Sequence, residues 1–173
     1  MLALPEELNI NGVRYCKQVD GDGDGAGPEA PPPPAQPDTQ AQRSSGFAWS
    51  ARSLKRLSGV HPQLRRVMDH ALTLVPLDIT VLEGVRSKAR QQQLVASKAS
   101  RTMNSRHLTG HALDIAPLDA DGHVSFDWPL YHRIAPAIKQ AARELGVPIE
   151  WGGDWSSFPD GPHWQLPWDE YPA

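Results

Sequence analysis

Between Asp20 and Ser45 the chain runs Asp20-Gly-Asp-Gly-Asp-Gly25, then Gly27-Pro28, then Pro31-Pro-Pro-Pro34. Such a stretch has almost no apolar surface to set against the entropy of ordering a chain. It reads as a disordered or polyproline-like linker over residues 20–45. That reading divides the molecule. Residues 1–19 form a short N-terminal arm, where Ile10, Val13 and Tyr15 allow a small strand or hairpin around Asn11-Gly12. Residues 46–173 must carry the folded domain, which begins near Phe47. With 39% hydrophobic residues in a chain of 173, there is material for one modest core.

Within that domain the apolar spacing predicts the elements. Leu64, Val67, Met68, Ala71, Leu72 and Val75 make the stripe of an amphipathic helix, stopped by Pro76. Asp78–Glu83 is rich in β-branched residues and ends at Gly84, which predicts a strand. Ser87 is placed to cap a helix over 88–99. Residues 112–116 and 123–126 read as strands joined through a turn at Asp121-Gly122. Ile134, Ala135, Ile138, Ala141, Ala142 and Leu145 form a second helical stripe with Gly146 just past its end. Pro136 interrupts that stripe and predicts a kink or a late start. Residues 148–151 and 163–166 are two more short strands. Helices and strands mix without a βαβ rhythm, so the expected class is α+β: a small mixed sheet, mainly antiparallel, packed against several helices.

Bulk properties narrow the function. A formal charge of −3 and the lack of a basic stripe argue against a nucleic-acid partner. The single cysteine, Cys16, excludes a disulfide framework and a cysteine zinc cluster. Met1–Leu8 lacks a basic segment followed by an apolar core, so no signal peptide is recognised. No run approaches the roughly 18 apolar residues of a membrane span. The expectation is synthesis in the cytoplasm without stable membrane insertion.

Chemistry concentrates in Ser105-Arg-His-Leu-Thr-Gly-His-Ala-Leu-Asp114 and in Asp160-Gly-Pro-His163. Two imidazoles and a carboxylate, His107, His163 and Asp114, are a chemically ordinary zinc set. Three protein donors leave the fourth position open, the catalytic rather than the structural arrangement. Zinc lowers the pKa of water at that position to about 7. Asp160, three residues before His163, is placed to take the proton and hand it to a leaving amine. On spacing alone, an accidental meeting of histidines and aspartates remains an alternative. His107 and His111 also show the His-x-x-x-His spacing of helical zinc proteases. Leu108 replaces the required glutamate there, and Gly110 disfavours a helix, so His111 reads as an edge residue.

These residues resemble peptidase family M15, the zinc D-Ala-D-Ala carboxypeptidase and L-alanyl-D-glutamate peptidase group. Its signature Ser-x-His-x-x-Gly-x-Ala-x-Asp is matched by Ser105, His107, Gly110, Ala112 and Asp114. Asp rather than Glu before His163 is similar to the phage T5-like endolysin branch. Glu83-Gly-Val-Arg86, Asp114-Ile-Ala-Pro117, Gly152-Gly-Asp-Trp155 and Phe47…Ser53…Leu57…His61-Pro support that branch. The likeness spans about residues 47–166. It implies one zinc ion on His107, Asp114 and His163, with Asp160 as general base.

The same resemblance puts Arg86 beside the substrate carbonyl, against the alternative of a structural salt bridge. Ser105 either bonds substrate or braces the ligand loop. Trp155 and Trp164 are substrate contacts, or else wall and core. Asp154 orients a ligand imidazole or caps a turn. The implied activity is cleavage of the peptidoglycan stem peptide at L-Ala–D-Glu by a monomer released through holin-type lesions. The alternatives are a D-Ala-D-Ala carboxypeptidase or dipeptidase, or a non-catalytic wall-binding module. Calcium is a weakly supported second ion, at Asp20–Asp24 or at Asp119 and Asp121.

Overall fold

The computed structural model describes residues 7–10, 13–16 and 46–172. The linker reading and the calcium reading of Asp20–Asp24 lie outside the described residues. In the arm, β1 (Glu7–Ile10) and β2 (Val13–Cys16) pair antiparallel with Ile10 opposite Val13, as expected for a hairpin either side of Asn11-Gly12.

From Gly46 onward the elements are α1 (Ala51–Arg56), α2 (Pro62–Ala71), β3 (Ile79–Glu83), α3 (Lys88–Ala96), β4 (Ala112–Pro117), α4 (Trp128–Leu145), β5 (Glu150–Trp151) and β6 (His163–Gln165). The four strands form one sheet in the order β3-β4-β6-β5. Every pairing in it is antiparallel. The class is α+β.

The core forms where α2 and α4 pack on one another and on the sheet. Leu64, Val67 and Met68 of α2 meet Ile134, Ile138 and Ala141 of α4, over Leu113 and Ile115 of β4 and Trp164 of β6. Each large side chain so removed from water contributes about 1.5–3 kcal/mol before entropy is counted. Strand alternation decides what remains on the other face. Leu113, Ile115 and Trp164 point into the core, so Asp114, His163 and Gln165 point away from it.

Several expectations are corrected. The α2 stripe outlasts its helix: Leu72 is the C-cap, and Leu74 and Val75 turn back onto the Ala71 carbonyl. Leu72 and Val75 stay buried through that turn, so burial follows the stripe while the helix does not. Helix α3 stops at Ala96, and Lys98 follows with φ of 61°. Its cap is the expected one, with Ser87 Oγ accepting from Arg90 N at 3.2 Å.

Helix α4 starts neither late nor at Pro136. It begins at Trp128, with Pro129 in the first turn where a missing N–H costs nothing. Pro136 sits on its exposed side, where the carbonyl left unbonded meets water. Residues 123–126 are not a strand; a single bridge joins Leu118 and Val124. The backbone there is held by Asp119, whose Oδ1 accepts from Asp121 N and His123 N. Helix α1 was not foreseen, because six residues are too short to show a stripe.

Candidate active site

The sheet lines up polar side chains across three strands. Asp114 lies opposite His163 in the β4–β6 register and opposite Glu83 in the β3–β4 register. Glu83 reaches this face only through an irregularity. Val81 pairs with Ile115 on the core side, and the register then shifts so that Glu83 pairs with Asp114. One extra residue in a strand re-aims the next side chain.

His107 comes from a short 3-10 turn, Arg106–Thr109, ended by Gly110 at φ +75°. A Cβ on Gly110 would stand 2.4 Å from the Gly59 carbonyl oxygen, so a bare Cα is required there. Ser105 caps the turn, its Oγ accepting from His107 N at 3.4 Å. That contact answers to bracing the ligand loop.

The three donors converge. His107 Nε2 and His163 Nδ1 are 3.3 Å apart, and each stands 3.3 Å from Asp114 Oδ1. The remaining imidazole nitrogens are committed elsewhere. His107 Nδ1–H donates to the Gly84 carbonyl at 2.8 Å. His163 Nε2–H donates to Gln165 Oε1 at 3.0 Å, and that amide is oriented because its Nε2 donates to Glu150 Oε2 at 2.6 Å. Pinning one nitrogen of each ring turns the lone pair of the other toward Asp114.

Three facing lone pairs repel unless positive charge lies between them, as a proton or as a cation. Donors bound at about 2.0–2.1 Å on tetrahedral positions stand about 3.3–3.4 Å apart, which is the spacing found. The residues present therefore fit a zinc ion.

Electrostatics agree. Burial pushes the Asp114 carboxyl upward, but hydrogen bonds and positive charge from His107 and His163 outweigh it and hold it well below the ordinary carboxylate range. For His163, burial favours the neutral ring, while Asp114 overrides it and the net direction is up. Asp160 is raised, by burial first and then by the charge of Asp114.

Asp160 faces the same cleft, about 630 Å³ in volume, whose walls include Arg86, Ser105, Trp155 and Phe158. Among the described residues its carboxylate accepts no hydrogen bond. Its backbone is fixed instead: Asp160 N donates to Gly152 O at 2.9 Å, and a Cβ on Gly152 would lie 2.5 Å from Asp160 O. Arg86 is heavily engaged, donating through Nε and Nη2 to Glu83 and through Nη1 to Gln91 Oε1 at 2.7 Å, with Nη2 3.5 Å from Asp114 Oδ2. The salt bridge considered for it is present, and its guanidinium still lines the cleft.

Other expected residues divide. The Trp155 ring stands 5.1 Å from the His163 ring and lines the cleft. Trp164 does not: it is wholly buried on the core side, stacked on Trp151 at 5.6 Å, so no surface is left for a substrate. Asp154 orients no imidazole, being exposed and paired with Lys139 at 2.6 Å. His111 lies beside His61, 4.8 Å between ring centroids, outside the donor set. Asp119, Asp121 and His123 cluster at the surface.

Sequence reading missed four supports. Gln165 was discoverable, since it shares a strand face with His163 two residues away. Glu83 and Gly84 stood in the quoted Glu83-Gly-Val-Arg86 motif, but their roles rest on the register shift and on a backbone carbonyl, which no side-chain pattern signals. Arg106, 2% exposed, donates to the carbonyls of Leu166, Pro167 and Tyr171 and lies 4.4 Å over Trp168. It ties the ligand turn to the segment after β6.

One imidazole and a carboxylate on a sheet face, met by a second imidazole from the 3-10 turn and open to a cleft with an unbonded carboxylate nearby, suit a hydrolase rather than a structural metal site. Comparison with known proteins agrees. The family model of the phage L-alanyl-D-glutamate peptidase matches residues 45–165. The chain is 34% identical over 118 residues to the L-alanyl-D-glutamate peptidase of Escherichia phage T5, covering 66% of this chain and 85% of that relative. To the L-alanyl-D-glutamate peptidase of Listeria phage A118 it is 40% identical over 95 residues, 55% of this chain and 32% of the relative. The crystal structure of the Serratia marcescens L-Ala D-Glu endopeptidase ChiX superposes with a TM-score of 0.69 at 49% identity, covering 72% of this chain and 93% of that one. The chain belongs to the phage L-alanyl-D-glutamate peptidase family.

Proposed function

We propose that this protein is a peptidoglycan endopeptidase that hydrolyses the L-Ala–D-Glu bond of the stem peptide, with zinc held by His107, Asp114 and His163 and with Asp160 as general base. Family membership supports the substrate. The observation that carries the mechanism is the donor set at mutual distances of 3.3 Å with both imidazole tautomers pinned.

A zinc ion bound there supplies Lewis acidity and acidifies water at its open position. The protein's own residues do the rest. Asp160 accepts the proton of the attacking water at a carboxylate oxygen, then gives it to the departing amine of D-glutamate. Arg86 keeps Asp114 in place through Nη2 and offers positive charge at the cleft wall as the carbonyl oxygen becomes anionic. Ser105 and Trp155 contribute the nearby wall against which the peptide lies. No helix among the described residues is long and apolar enough to cross a membrane. The protein acts as a monomer and reaches the wall through lesions made by another protein.

Mass spectrometry of digested peptidoglycan tests this reading. New N-terminal D-glutamate is the expected product. Released D-alanine would make it a D-Ala-D-Ala carboxypeptidase. Wall binding without any product, both before and after chelation and zinc return, would make it a binding module.

A further inference from the structure

The cleft is walled by three arginines, and two of them are already occupied. Arg86 is engaged by Glu83 and Gln91, and Arg106 by three carbonyls. The third, Arg101, makes no hydrogen bond or ion pair among the described residues. It nevertheless stands in a built setting. Gln91, fully buried, donates through Nε2 to Ser100 Oγ at 2.8 Å and to Thr102 O at 2.6 Å, so both neighbours of Arg101 are tied to one amide. Phe158, also in the cleft lining, places its ring centroid 4.1 Å from the guanidinium carbon. Stacking on a ring face fixes the plane of the guanidinium and leaves its edge N–H groups free. An exposed loop arginine held from two sides with its donors unused is set up to receive a planar anion.

We infer that Arg101 is a specificity residue that binds a free carboxylate of the acidic stem peptide. The inference rests on the function proposed above. A glutamyl residue has two carboxyl groups, and the chain uses one, so a second stays free beside the scissile bond unless it is amidated. A diamino diacid in the next position could present the same chemistry. The acidic groups on the cleft wall, Glu83, Asp114 and Asp160, repel such a group, and the other two arginines are taken up by protein partners. Arg101 offsets them with the forked geometry that carboxylates prefer.

The test measures kcat/KM of the zinc-loaded full-length protein on three synthetic stem peptides. One has both acids free, one has the glutamyl acid amidated, and one has the diacid residue amidated. The wild type should prefer the free glutamyl acid over its amide by about 10- to 100-fold, the range of a charge-assisted hydrogen bond. R101A should bring that ratio near one, and R101K should fall between, since an ammonium keeps charge but lacks the fork. A preference lost only with the amidated diacid reassigns the carboxylate and keeps the arginine's role. Equal rates on all three by the wild type would overturn the inference. So would R101A slowing all three alike with an unchanged melting temperature. Absence of cleavage in every arm would instead defeat the function on which it rests.

Discussion

Strands β4 and β6 present two faces made of alternating residues, and the two are built on opposite principles. On one, Leu113, Ile115 and Trp164 are fully buried among helices α2 and α4. On the other, Asp114, His163 and Gln165 are nearly as enclosed but entirely polar. The core face tolerates imprecision, because apolar burial is non-directional and roughly proportional to area. The cleft face does not. The enclosed side chains of Asp114, His163 and Gln165 each find a polar partner, since unmatched polar groups in a low-dielectric setting are costly. Neighbouring residues on one strand therefore serve stability and chemistry separately.

Substitutions at adjacent positions would break that comparison most sharply. His163→Ala should take turbidity clearing of permeabilised cells to background, and Asp160→Asn should lower kcat by about 10²- to 10⁴-fold. Neither should lower the melting temperature of the metal-free protein greatly. For Asp160 the sign is explicit. Its folded pKa is raised, so the ionised form is disfavoured by folding at neutral pH, and a neutral amide relieves that. Retained activity in either variant would overturn the assignment. Trp164→Ala should do the reverse, costing about 3–5 kcal/mol in urea unfolding. Its activity per folded molecule should stay within a few-fold. A selective loss of activity there would show that the two faces are not independent.

Gln165→Leu probes the support rather than the donors. Removing the group that fixes the His163 tautomer should weaken zinc binding by about 10- to 100-fold, read by competition with a chromophoric chelator. The smallest effect is in pH. In the metal-free protein His163 has a raised pKa, so its stabilising contribution is complete below the ordinary histidine value, about 6.5, and is lost as pH rises through the folded value. Asp114 is depressed, so its contribution holds above about 3.9 and is lost as pH falls through its folded value. The rise in melting temperature on adding zinc should therefore grow as pH increases from 5 to 8, because metal and proton compete for His163. A shift independent of pH would break the pairing of Asp114 with His163.

The core face was legible in the sequence because periodicity encodes it directly: the α2 and α4 stripes both appear in the packed core. The donors were legible because their side chains carry the chemistry. What escaped notice acts through backbone or register. Gly84 contributes a carbonyl, Glu83 depends on an irregular strand, and Glu150 meets Gln165 only once β5 and β6 pair. The start of α4 was misread because Pro136 was weighed as a breaker, while Pro129 was not weighed as a helix opener. Trp164 was placed by proximity in sequence to His163, although adjacency on a strand means opposite faces.

Arg106 has one more consequence, and it concerns time rather than space. Among the described residues its guanidinium, next to His107, donates hydrogen bonds to the carbonyls at positions 166, 167 and 171. A ribosome makes His107 and Asp114 some fifty residues before His163, and the clamp closes only when Tyr171 has emerged. A nascent chain therefore carries an incomplete donor set until residues 163–171 have been made, and the turn that presents His107 is clamped only after that.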